Sequence, residues 1–116
     1  MGGWASESRT GLNYFGVTST QYTGTLSYGT IKTEINSSRP IYAEIAWLGP
    51  NDAVTGRHVQ TIDGYYNDTN YGVTDVTYVE STQNQHYSED YNFFTYDAGP
   101  AGRKWEAGLW KFAKKP

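Results

Sequence analysis

The chain has 116 residues, a length typical of a single domain, so we predict one domain over residues 1–116. It is 37% hydrophobic and 16% aromatic, which excludes a disordered chain, and it has no cysteine, which excludes disulfides and thiolate metal sites. The net charge is −3, and five of the nine cations lie in the last fourteen residues, too short a basic tail to predict nucleic-acid binding.

In chain order, the first predicted element is a helix from Trp4 to Phe15, in which Ala5, Leu12 and Phe15 recur at helical spacing and Gly16 serves as the stop. Residues 17–27 read as irregular or extended. The stretch "SYGTIKTEINSSRP" then predicts a short second helix that ends before its proline, because the residue before proline avoids the helical region.

After this proline the hydrophobic period changes to two, which indicates strands. The predicted strands are "IYAEIAWLG", "RHVQTIDGYY" and "VTDVTYVES", joined by the loop "PNDAVTG" and the turn "NDTNYG". Residues 82–102 read mostly as loop, with extended backbone as the alternative for "YNFFTY", and "KWEAGLWKF" predicts a last strand; His86, in this loop, is assigned no role. Helices first and a meander afterwards predict an α+β fold, with N-terminal helices packed against an antiparallel sheet.

The sequence lacks the common motifs for phosphate binding, metal binding and membrane insertion. The sequence contains no glycine-rich phosphate loop, no HExxH motif and no EF-hand spacing, so we predict no cofactor and no metal. No run approaches 18 apolar residues, which predicts no membrane insertion. A composition rich in Tyr, Thr, Asn and Gly with few charges is typical of secreted bacterial proteins, and we predict secretion.

The N-terminal stretch "GWASESRTGLNYFG" resembles the start of the first helix of papain-like cysteine peptidases, especially the compact bacterial branch related to bacteriocin-processing peptidases. In that branch a nucleophilic Cys precedes a Trp-Ala pair, and a Leu, an aromatic residue and a Gly follow at eight, ten and twelve residues after the Trp. Downstream, "IKTEINSSRPIYAEIAW" is similar to the family's helix, Arg-Pro and strand, and "GRHVQTIDGYY" to its Gly-x-His strand. The similarity continues into "VTYVEST", so it spans about residues 3–82.

This resemblance implies a papain-like fold and a role for each matching position. Gly3 stands where the family has its nucleophile, His58 where it has the general base, and Glu80 where it has the Asn or Asp that orients the histidine, with Ser81 as the alternative. A thiolate at position 3 would be stabilised by a helix N-terminus and an imidazolium. Glycine has no thiol, so the resemblance implies a peptidase that is inactive as given.

The origin of Gly3 has three interpretations: an engineered replacement of Cys, a natural pseudoenzyme, or a plain glycine in a flexible N-terminal tag. The family's oxyanion donor, a Gln about six residues before the Cys, has no counterpart in the sequence, and Thr82 stands where papain itself has a shielding Trp. The expected partner is a peptide or protein substrate. The alternative function is a non-catalytic secreted binding module that recognises sugars or proteins through exposed Tyr and Trp.

Overall fold

The computed structural model describes residues 16–80 and 85–114, and a single seven-stranded antiparallel sheet dominates them. In space the strands run β1-β7-β2-β3-β4-β5, and the short β6 pairs with β7. The strands are β1 (Val17–Thr23), β2 (Ile41–Leu48), β3 (Val54–Asp68), β4 (Val73–Glu80), β5 (Gln85–Asp90), β6 (Tyr96–Asp97) and β7 (Gly102–Lys114).

In the described part of the chain, the sheet is accompanied by two α-helices, α1 (Tyr28–Asn36) and α2 (Tyr91–Thr95), and by a short 3-10 helix (Pro50–Asp52). Helix α1 starts where the Ser27 hydroxyl accepts a hydrogen bond from the Thr30 amide at 3.1 Å, and it ends before Pro40, as the sequence predicts. Ile31 of α1 and Phe94 of α2 are fully buried in the main core cluster. Both helices therefore pack on the same face of the sheet, called the helical face below.

The α+β class with N-terminal helices packed on a sheet, predicted from the sequence, is wrong for the described chain, which is a mostly antiparallel β domain with one helix of more than two turns. Residues 17–23 form β1 and pair with the C-terminal β7, and residues 85–90 form β5 although they were expected to be loop. Strand formation depends on a partner strand: the partner of β1 is the distant β7, whereas β5 pairs with the neighbouring β4 although its own residues are mostly polar. The predicted helix from Trp4 to Phe15 lies outside the described residues.

The segment "YNFFTY" was expected to be loop or extended backbone, and most of it is helix α2. The Asp90 carboxylate accepts a hydrogen bond from the Asn92 amide at 2.9 Å and so caps the helix N-terminus. Phe94 then turns into the core against Tyr78 and Trp105, with ring centroids 5.0 and 5.3 Å away. The Asp90 cap and the burial of the Phe94 ring stabilise this helix although the stretch has a weak helix propensity.

The three central strand predictions agree with β2, β3 and β4, although β3 is longer at both ends. Alternation along β2 places Ala43, Ile45 and Trp47 on the helical face, and the next two strands contribute Ile62 and Tyr78 to it. The core cluster of buried residues on this face consists of Ile31, Ile41, Ala43, Ile45, Ile62, Val76, Tyr78, Phe94 and Trp105. Its polar edge, toward the end of β4, holds the site described next.

Candidate functional site

His58 lies on β3, on the helical face of the sheet. It pairs with Ile45 of β2, and Gln60 follows on the same face because side chains alternate along a strand. Among the described residues, the ladder between β3 and β4 starts at the Gln60–Glu80 pair, two positions from His58. Its side chain is 27% exposed. The imidazole is therefore reachable from solvent while its backbone is held in the sheet.

Glu80 ends β4 directly opposite Gln60, and its side chain is only 10% exposed. Its Oε2 accepts a hydrogen bond from Gln60 Nε2 at 2.9 Å, and its Oε1 lies 2.5 Å from His58 Nε2. This Oε1 is buried and accepts no hydrogen bond of normal geometry from the described residues, so its 2.5 Å approach to His58 Nε2 is a close polar contact. The carboxylate is thus placed between an amide donor and the imidazole.

The polar contacts continue from Gln60 to Arg103, the second residue of β7. Arg103 Nη2 donates to Gln60 Oε1 at 2.7 Å, and Arg103 Nε donates to the backbone carbonyl of Phe94 at 3.1 Å. Gln60 is 1% exposed and Arg103 is 4% exposed. Four side chains, Arg103, Gln60, Glu80 and His58, therefore form one chain of polar contacts, called the Arg103–His58 chain below.

Burial lowers the pKa of Arg103 from its usual range, because the charged form loses hydration. Part of this cost is offset by aromatic rings: the guanidinium carbon lies 4.4 Å from the centroid of Phe94 and 5.8 Å from that of Tyr78. An arginine has an ordinary pKa so high that it remains protonated at neutral pH. The Arg103–His58 chain therefore starts at a buried cation and passes through a neutral amide to a buried carboxylate.

Aromatic side chains border the exposed end of the site. The Trp47 and His58 ring centroids are 6.1 Å apart, and Trp47 lies 5.7 Å from the Arg103 guanidinium carbon. Phe93 is 40% exposed and lies 5.9 Å from the same guanidinium. A ligand that approaches the imidazole would therefore meet apolar ring surface as well as polar groups.

The opposite face of the sheet carries a second histidine–carboxylate contact, between His86 of β5 and Asp63 of β3. His86 Nε2 approaches Asp63 Oδ2 closely, and Asp63 Oδ1 accepts a hydrogen bond from the Thr77 hydroxyl at 3.3 Å. Asp63 lies at an irregularity of the β3–β4 ladder, between Ile62 and Gly64. The His86 side chain is 69% exposed and that of Asp63 is 34% exposed, so this pair is at the surface.

Of the residues that the sequence selected, the structure brings His58 and Glu80 together. Gly3, the proposed nucleophile position, and Ser81, the alternative to Glu80, both lie outside the described residues. His86, which was expected in a loop, lies on a strand. Among the described residues no group of three or more His, Cys, Asp or Glu side chains is arranged to hold a metal ion.

Sequence reasoning missed Gln60 and Arg103. Gln60 carried a usable signal, since a residue two positions after His58 in a predicted strand must face the same side as His58. Arg103 carried no such signal, because in the sequence it is one of several basic residues near the C-terminus. Its contact with Gln60 joins positions 43 residues apart in the chain.

No protein-family model matches the chain, and none of the curated proteins matches its sequence. No helix in residues 16–80 and 85–114 is both long and apolar enough to cross a bilayer.

Proposed function

We propose that the chain is a cysteine-peptidase-like domain that lacks its nucleophile and binds peptides. In this proposal His58 is the former general base, Glu80 orients it, and Gly3 stands at the nucleophile position. The observation that carries the proposal is the contact between Glu80 Oε1 and His58 Nε2, at 2.5 Å on a protected part of the sheet. A base oriented by a third group is the arrangement that activates a nucleophile in acyl transfer.

The position of the carboxylate assigns the two ring nitrogens different roles. The Glu80 carboxylate contacts Nε2 of His58, so Nδ1 of His58 is the nitrogen that would exchange a proton with a thiol. Because the sequence has no cysteine, peptide-bond cleavage through a thiolate is excluded for the chain as given. The function that this leaves is binding of a peptide or protein across the site.

The aromatic border of the site supports peptide binding. Trp47 lies beside the imidazole, and the 40% exposed Phe93 lies on α2 near the buried Arg103. Aromatic side chains supply large contact areas and are enriched at recognition surfaces. The expected ligands are therefore peptides that place a peptide bond beside His58 and carry an apolar or aromatic side chain next to that bond.

The test restores the thiol. In Gly3→Cys, we expect iodoacetamide to alkylate the thiol with a pH midpoint well below the free-cysteine value of about 8.5, because a nearby imidazolium favours the thiolate. Adding His58→Ala should move the midpoint back upward. His86→Ala is the matched control, since His86 is the other histidine of the chain and lies on the opposite face of the sheet.

An ordinary thiol titration that His58→Ala leaves unchanged would contradict the proposal. That result would favour the binding-module alternative, which has a narrower basis in the structure. Tyr71 is 82% exposed and Tyr66 is 54% exposed, both where β3 and β4 join, but none of the tryptophans that the structure describes is exposed. Peptide hydrolysis is a poorer first test, because it also requires an oxyanion hole, and loss of one oxyanion donor typically lowers the rate by about 100-fold to 1000-fold.

A further inference from the structure

The Arg103–His58 chain has a fixed hydrogen-bond direction, and Arg103 sets it. A guanidinium has N–H donors and no acceptor, so Gln60 can meet Arg103 Nη2 only with its amide oxygen. The amide nitrogen of Gln60 then points the other way and donates to Glu80 Oε2. If Gln60 were flipped, two donors would face each other at the Arg103 end.

The same logic extends to His58. An ionised carboxylate accepts hydrogen bonds and donates none, and Glu80 Oε2 already accepts from Gln60. Glu80 Oε1 is buried and lies 2.5 Å from His58 Nε2, so the favourable arrangement has a proton on that nitrogen. In a neutral imidazole only one nitrogen carries a proton, and Nδ1 then carries the lone pair.

Arg103 is itself held by groups that do not belong to His58. Its Nε donates to the carbonyl of Phe94 in α2, and its guanidinium lies over the Phe94 ring. Helix α2 is in turn capped by Asp90 and anchored by Phe94 in the core. The starting point of the chain is therefore fixed by a separate structural element from the strand that carries His58.

We propose that Arg103 is a positioning residue for His58: acting through Gln60 and Glu80, it fixes the ring orientation and keeps the imidazole in the Nε2–H tautomer. This inference deepens the proposed function, since the lone pair on Nδ1 is what a thiol proton would require. Arg103 does not touch the reacting atoms in this scheme. It acts only by holding the amide and the carboxylate that hold the ring.

The test is NMR of the histidine rings in the native chain, which has only two histidines. Long-range ¹H–¹⁵N correlation shows which ring nitrogen carries the proton, and His86→Asn assigns the signals. In the wild-type chain we expect His58 to carry its proton on Nε2 and that proton to exchange slowly with water. In Arg103→Met and Gln60→Met we expect exchange at least about tenfold faster, because hydrogen bonds to a charged group contribute enough free energy for that factor.

Arg103→Lys should restore part of the protection, because an ammonium also donates to the Gln60 oxygen. Ile62→Val is the matched structural control: Ile62 lies two residues beyond Gln60 on the same face, is fully buried and takes no part in the polar chain. It should lower stability without changing the exchange of the His58 proton. If Arg103→Met does not fold, Gln60→Met carries the test, because it retains the bond from Arg103 to the Phe94 carbonyl.

The inference is overturned if the wild-type ring carries its proton on Nδ1, or if the folded Arg103 and Gln60 variants exchange no faster than Ile62→Val. These outcomes are separate from a failure of the proposed function, because the NMR measurement does not involve position 3. A fixed tautomer together with an ordinary Gly3→Cys thiol would reject the peptidase-like function and leave the positioning role of Arg103 in place.

Discussion

Two histidine–carboxylate contacts lie on opposite faces of one sheet, and they differ in their surroundings. Glu80 is 10% exposed and also accepts a hydrogen bond from the buried Gln60 amide, whereas Asp63 is 34% exposed and also accepts one from the Thr77 hydroxyl. His58 is 27% exposed and His86 is 69% exposed. The comparison indicates that a histidine–carboxylate contact is a candidate site where burial and neighbouring hydrogen bonds hold the carboxylate in one position.

The physical difference is the strength of screening. At the surface, water and salt weaken a charged contact, and exposed ion pairs typically contribute up to about 1 kcal/mol. In a poorly hydrated site each polar atom needs a partner, so hydrogen-bond direction becomes a strong constraint. The pair on the helical face is therefore expected to be directional and costly to break, and the pair on the opposite face to be adaptable.

The largest expected effect separates the two pairs directly. Glu80→Ala should lower the free energy of unfolding by about 3 kcal/mol, because it removes the acceptor of the buried Gln60 amide and the carboxylate that the His58 ring contacts. Asp63→Ala should lower it by less than about 1 kcal/mol. Urea unfolding of both variants measures the difference, and equal effects would break the comparison.

A second buried carboxylate extends the comparison to pH. Glu34 of α1 accepts two bonds from Arg39, each 2.9 Å long, and one from the backbone amide of Lys111 at 3.2 Å. The bonds from Arg39 lower the pKa of Glu34 below its ordinary value. Glu34→Gln should therefore cost about 2 kcal/mol of unfolding free energy at pH 7.

The sign of the pH dependence follows from the lowered pKa of Glu34. Its stabilising contribution is complete above the unfolded-state pKa of about 4.3 and is lost as the pH falls through the lower folded-state value. The difference in unfolding free energy between wild type and Glu34→Gln should thus shrink on acidification, as measured by urea unfolding across this range. A difference that stays constant down to the acid limit would argue against the ionic origin.

The smallest expected effect concerns Glu44, a buried carboxylate whose pKa is shifted in the direction opposite to that of Glu34. Glu44 of β2 is 4% exposed, its Oε2 accepts no hydrogen bond from the described residues, and burial raises its pKa. The charged form then destabilises the folded state at neutral pH, so Glu44→Gln should raise the unfolding free energy by up to about 1 kcal/mol.

The gain in unfolding free energy from Glu44→Gln should be present at pH 7. It should vanish as the pH falls below the unfolded-state pKa of about 4.3, where Glu44 is protonated in both the folded and the unfolded chain. Thermal or urea unfolding at both pH values provides the measurement, with Glu34→Gln as the variant of opposite sign. Destabilisation by Glu44→Gln at pH 7 would show that the Glu44 carboxylate has a favourable role in the folded chain.

The sequence determined the local elements and two of the site residues. Period-two alternation located β2, β3 and β4, and Pro40 bounded the end of α1, because these signals act over a few neighbouring residues. The resemblance to papain-like peptidases selected His58 and Glu80, whose contact crosses adjacent strands joined by one turn. The sequence left the register open by one residue, with Ser81 as the alternative to Glu80, because register depends on turn geometry and on the irregularity of the β3–β4 ladder between Ile62 and Gly64.

Only the tertiary structure decided the fold class, the sheet order and the support of the site. β7 lies between β1 and β2, so its position depends on pairings between distant parts of the chain, and nothing local specifies them. Arg103 reaches Gln60 from that strand across β2. The direction of hydrogen bonding at His58 therefore depends on a residue whose role exists only once the sheet has assembled.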